Sequence, residues 1–131
     1  MYIEKESFSS ASSHDTTKKN GSFSSFDLPV LIENLKHDHA WKKGELKAMI
    51  LLKNPSKKIV LAILHEETEI RSFQSDDTTT FRIIEGKARF HIGNDIIILK
   101  KGELLTLNEK VKYKINSLEE TALLITLTSA Q

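Results

Sequence analysis

Beyond residue 45 the apolar residues fall in short runs, each closed by glycine, proline, asparagine or a charged pair. Runs of this length that are rich in Ile, Val, Leu and Thr predict strands rather than helices. Glu45–Lys53 and Lys57–Leu64 flank the turn cluster Asn54-Pro55-Ser56. Ile70–Gln74 is short and mixed. Thr79–Ile84 and Lys87–Ile92 flank Glu85-Gly86, which predicts a tight hairpin, and Gly93-Asn94 predicts another leading into Asp95–Leu99. Lys101-Gly102 leads into Leu104–Leu107, and Lys110–Asn116 and Thr121–Thr128 complete about nine strands with no helix between them. Even spacing of this kind predicts an all-β domain over residues 45–131, an antiparallel β-barrel or jelly roll.

The segment before the strands has a different period. Leu28, Leu31, Ile32 and Leu35 lie at i, i+3, i+4 and i+7, one stripe of a short helix that Asp27 caps and Pro29 tolerates in its first turn. Ten residues do not hold a helix in water, so the stripe is expected to lie on the outside of the β domain, with Trp41 as an anchor in the segment 26–44. Residues 1–25 are rich in serine and low in complexity, which predicts a flexible tail. Ile59–Leu64, Ile96–Leu99 and Ala122–Leu127 are apolar on both faces, and a half-exposed strand should alternate. Their outer faces need cover beyond a short helix, and a homodimer is the expected remainder.

Composition narrows the chemistry. At 131 residues the chain fits one domain, and 19 basic against 18 acidic side chains give a net charge of +1. The lysine pairs Lys18-Lys19, Lys42-Lys43, Lys57-Lys58 and Lys100-Lys101 are scattered beside turns, so no nucleic-acid partner is expected. Without cysteine there is no disulfide, thiolate site or cysteine nucleophile. No apolar run is long enough to cross a bilayer and the first residues do not read as a secretory signal, so a cytoplasmic protein is expected. Nucleophile elbows, phosphate loops and H-E-x-x-H are absent. His37-Asp38-His39 falls in an expected loop, His65 follows the run "LAIL" beside Glu66 and Glu67, and His91 sits between Phe90 and Ile92. A surface position is expected for His65, with acid–base use of its carboxylate-flanked ring as the alternative.

The β domain resembles the cupins. Cupins share two motifs whose histidines and glutamate bind a metal inside a barrel. Gly86, in "IIEGKARF", matches the glycine that closes the first motif. Counting back places Thr79 at the glutamate position, Ser72 and Gln74 at the two histidine positions, and Glu66 at the opening glycine. Gly102, in "LKKGELLTL", matches the glycine that opens the second motif, which places Asn108 at its proline, Lys110 at its glycine and Tyr113 at its histidine. The resemblance covers residues 45–127, most like small single-domain bacterial cupins, and every metal position carries another residue type.

Hydroxyls and an amide are poor ligands where imidazole nitrogen and carboxylate oxygen should converge, so neither metal nor another cofactor is expected. The resemblance then implies a lumen lined by Ser72, Gln74, Thr79, Phe81, Phe90 and Tyr113, an apolar site with a few polar groups suited to a small organic ligand. A small-molecule-binding or sensory module is the first expectation. A metal-independent enzyme resembling cupin-fold sugar epimerases, with His65 as base and Tyr113 as acid, is the second. A structural or protein-interaction domain with a filled lumen is the third.

Overall fold

The computed structural model describes residues 18–19, 23–71 and 76–129. Lys18–Lys19 (β1) pairs with Ser24–Ser25 (β2), with Phe23 exposed beside them; residues 1–17 and 20–22 of the serine-rich tail lie outside the described residues. Leu28–Lys36 forms the expected helix (α1), with the Asp27 carboxylate accepting the Val30 N–H at 3.2 Å. Of the expected loop His37-Asp38-His39, His37 and Asp38 do lie in a turn between helices, and His39 begins a second short helix, His39–Lys42 (α2). Asp38 caps it by accepting the Ala40 N–H at 2.8 Å, and also lies 3.5 Å from the Lys47 ammonium.

Nine strands follow: Lys47–Lys53 (β3), Lys57–Leu64 (β4), Glu69–Arg71 (β5), Asp77–Glu85 (β6), Lys87–Ile92 (β7), Asp95–Lys100 (β8), Leu104–Leu107 (β9), Lys114–Ser117 (β10) and Thr121–Ser129 (β11). They are antiparallel, as expected, but they close no barrel. A five-stranded sheet has the order β3-β4-β11-β6-β9, and a four-stranded sheet has the order β5-β10-β7-β8. Each ends on open edges, so the expected barrel or jelly roll is corrected to two separate sheets that share one core. Strand bounds differ from expectation too. Lys110 adopts φ of +67°, a left-handed kink, and the strand expected from residue 110 begins only at Lys114. Glu85-Gly86 also differs from expectation. It is a corner rather than a hairpin, because β6 pairs with β11 and β9 whereas β7 pairs with β10 and β8.

Alternation sorts the strands into inner and outer faces. Val60, Phe81, Ile83, Leu123 and Ile125 from the larger sheet meet Ile70, Ala88, Phe90 and Ile115 from the smaller, all 5% exposed or less. On the opposite face of the larger sheet Met49, Leu61 and Ile63 are also buried, in one cluster with Leu31, Ile32, Leu35 and Trp41 of the helices. The helical stripe therefore covers the outer face it was expected to need, at roughly 1.5–3 kcal/mol for each side chain fully removed from water. Ile96 and Ile98 on β8 and Leu104 on β9 remain exposed. No described helix is long and apolar enough to cross a membrane.

Lys36 ties α1 to the sheet. Its ammonium lies 2.7 Å from Glu120, 3.7 Å from Glu85 and 4.0 Å from Glu33. The hydrogen bond to Glu120, together with the charge of all three carboxylates, outweighs desolvation and holds this lysine above its ordinary 10.5. A raised lysine pKa stabilises the fold fully below the unfolded value and less as pH rises through the folded one. Wild type should therefore exceed Lys36→Met in stability by up to about 1 kcal/mol near neutrality. Urea titrations should show that margin shrinking above pH 10.5.

Candidate functional site

Of the six lumen residues expected from the resemblance, Thr79, Phe81, Phe90 and Tyr113 are described and face the space between the sheets. Thr79, Phe81 and Ile83 alternate inward along β6 and are buried. Phe90 projects from β7 toward Phe81, ring centroids 5.0 Å apart and tilted by 58°. Tyr113, just before β10, meets Phe81 edge-on at 4.9 Å. Edge contacts of this kind add about 0.5–1.5 kcal/mol beyond burial. Burial pushes the Tyr113 phenol up to about 12, so it stays protonated at neutral pH. Tyr113 is half-buried where both phenylalanines are fully buried, which sets it at the margin of the aromatic cluster. Four of the six expected site residues are thus placed together. Ser72 and Gln74 lie outside the described residues.

Metal chemistry finds no fit in this set. A protonated phenol and a threonine hydroxyl are weak donors to a divalent transition metal. Among the described residues, no three His, Asp or Glu side chains gather into a possible metal site. His37 caps the C-terminus of α1, its Nδ1–H donating to the Glu33 carbonyl at 2.8 Å, and His39 opens α2.

His65 is not a plain surface histidine. Its ring stacks on Trp41 at 3.5 Å and 14°, and its Nε2 lies 2.9 Å from the Trp41 carbonyl. A carbonyl only accepts, so Nε2 carries the hydrogen. The backbone around it is held by Ser117, whose hydroxyl donates to the His65 carbonyl at 2.6 Å and accepts from the Thr68 N–H at 2.8 Å. Tyr113 lies four residues along the chain from Ser117, roughly 13 Å at strand rise. Sequence order gave no sign of the Trp41–His65 stack, which joins residues 24 positions apart.

Lys110 has a left-handed backbone. It stands where cupins have glycine, which favours that conformation. Lys110→Gly should raise stability by up to about 1 kcal/mol, the left-handed penalty less the glycine entropy. Chemical denaturation showing a loss would place the kink's cause elsewhere.

The fold is that of the cupins, without a possible metal-binding cluster among the described residues. The chain is similar to a cupin superfamily protein from Desulfitobacterium hafniense, at 15% identity over 66% of this chain and 79% of the other, with a TM-score of 0.64. A conserved Streptococcus pyogenes protein of unknown function superposes over 92% of this chain and 98% of its own, at 14% identity and a TM-score of 0.66. Salicylate 1,2-dioxygenase from Pseudoaminobacter salicylatoxidans matches 79% of this chain over 32% of its own length, at 14% identity and a TM-score of 0.69. At such identities the likeness is one of fold. No family model and no curated protein matches the sequence.

Proposed function

We propose that the protein is a metal-free binding or sensory module that takes a small, ring-containing organic molecule between its sheets. The observation that carries this reading is Tyr113, half-buried and edge-on to Phe81, with its phenol held protonated by burial. Apolar aromatic walls with a few polar groups, here Tyr113 and Thr79, are how small-molecule sites are built. The epimerase reading has less support. It needs His65 and Tyr113 on one substrate, and the His65 ring stacks on Trp41 with its Nε2 bonded to the Trp41 carbonyl.

A thermal-shift screen of wild type and Tyr113→Phe with phenols, aromatic acids and sugars tests the proposal. A phenol or aromatic acid at a hundredfold excess over Kd should stabilise wild type by about 2.7 kcal/mol. Tyr113→Phe should bind the same compound about fivefold more weakly, the worth of one hydrogen bond. Stabilisation by no compound class, or equal binding by the two proteins, leaves the interior as core and favours the structural reading.

A further inference from the structure

The outer face of the four-stranded sheet is unlike the rest of the surface. The register places Lys87, Arg89 and His91 of β7 beside Lys100, Ile98 and Ile96 of β8. Lys114 of β10 and Arg71 of β5 continue the same face. Five cations there meet one carboxylate, Glu69, which Arg71 holds at 2.7 Å. The whole chain has a net charge of only +1, so the remainder carries an acidic excess. Lys87, Arg89, Lys100 and Lys114 form no salt bridge among the described residues.

Within this basic field two large apolar side chains stand in water, Ile96 at 61% and Ile98 at 49% exposed. Both are on β8, the edge of its sheet. The two-residue turn Gly93-Asn94, with φ of +59° at Gly93, makes Ile92 and Asp95 a hydrogen-bonded pair. Antiparallel alternation then turns the N–H and C=O of Ile96 and Ile98 toward the open edge.

We infer that this edge and face dock an acidic peptide segment that adds to β8 as a further strand. Strand addition takes its affinity from backbone bonds and its selectivity from alternate side chains. Acidic side chains on the added strand would meet the cations, and apolar ones the two isoleucines. Charge complementarity decides against a second copy, which would bring the same cations face to face. Among the described residues this face carries no outward Phe, Tyr or Trp, the rings on which sheet-face readers stack single-stranded nucleic acid.

Fluorescence anisotropy of the full chain with a labelled peptide of alternating Glu and Val tests this. Binding should weaken with salt, fall at least about tenfold in Arg89→Glu, and fall also in Lys100→Glu, an exposed position where folding is not at stake. Hydrogen exchange should slow at the Ile96 and Ile98 amides when the peptide is added. No binding by wild type overturns the inference, as does binding that survives both charge reversals. Equal affinity for a Lys-Val peptide, binding of oligothymidylate in place of the peptide, or a dimer in light scattering that Ile98→Lys dissolves would overturn it too. None of these outcomes bears on the ligand site between the sheets.

Discussion

Gly86→Ala is expected to destabilise the protein by about 2–5 kcal/mol. Gly86 stands at the corner where the chain leaves β6 in one sheet and enters β7 in the other, at φ of +91°. A Cβ there would fall 2.7 Å from the Thr121 Cα and closer still to the Glu120 carbonyl oxygen, both backbone atoms that cannot swing aside. The corner is also locked by hydrogen bonds. The Lys87 N–H donates to the Thr121 hydroxyl at 3.2 Å, and the Leu118 N–H donates to the Lys87 carbonyl at 2.8 Å. Left-handed strain of about 1–2 kcal/mol and overpacking of about 1–3 kcal/mol therefore add. Gly93→Ala is the control, since its Cβ would meet nothing within 4 Å and only the strain remains. Urea denaturation should rank wild type, then Gly93→Ala, then Gly86→Ala far below. If Gly86→Ala failed to fold, Gly93→Ala would still have to lose no more than about 2 kcal/mol. Near-equal losses would show that the close approach at Gly86 is not a constraint.

Phe81→Ala should cost about 3–5 kcal/mol, the range for removing a fully buried phenylalanine and leaving a cavity. Phe81 is completely buried and touches aromatic rings on two sides, Phe90 across the sheet gap and Tyr113 at the margin. Its loss should also release Tyr113, which near-UV circular dichroism reads as a weakened tyrosine band. Phe81→Leu keeps most of the volume and should cost less than about 1.5 kcal/mol. A loss below about 1 kcal/mol in Phe81→Ala would mean the two sheets do not meet at this residue.

The parts of the fold that were readable in advance are those set by neighbours in sequence. Asp27 and the stripe Leu28-Leu31-Ile32-Leu35 define α1, and Asn54-Pro55-Ser56 joins β3 to β4 as a hairpin. Periodicity tells which face of a strand is buried, but not which strand lies alongside. That is why Glu85-Gly86 looked like a hairpin and the strands like a closed barrel, when the chain in fact turns between sheets there. Motif spacing picked out Thr79 and Tyr113, and Tyr113 lies against Phe81 beside Phe90 in the interior. The basic outer face is hidden in the sequence because its cations come from separate strands. Alternation already puts Lys87, Arg89 and His91 on one side of β7, but Lys100 and Lys114 join them only through strand register.

The helices alter the case for a dimer. Leu61 and Ile63, whose double-sided apolar strand suggested a partner subunit, are covered from within the chain by α1 and Trp41. The exposed apolar residues of the smaller sheet are Ile96 and Ile98, among cations.

Amide chemical-shift mapping of EDTA-treated protein, titrated with the phenol or aromatic acid that stabilises it most, tests metal-free binding between the sheets most directly. The predicted result is saturable shifts at Thr79, Phe81, Phe90 and Tyr113, unchanged when divalent metal is restored. Shifts confined to other residues, or binding that appears only with added iron, manganese or zinc, would contradict it.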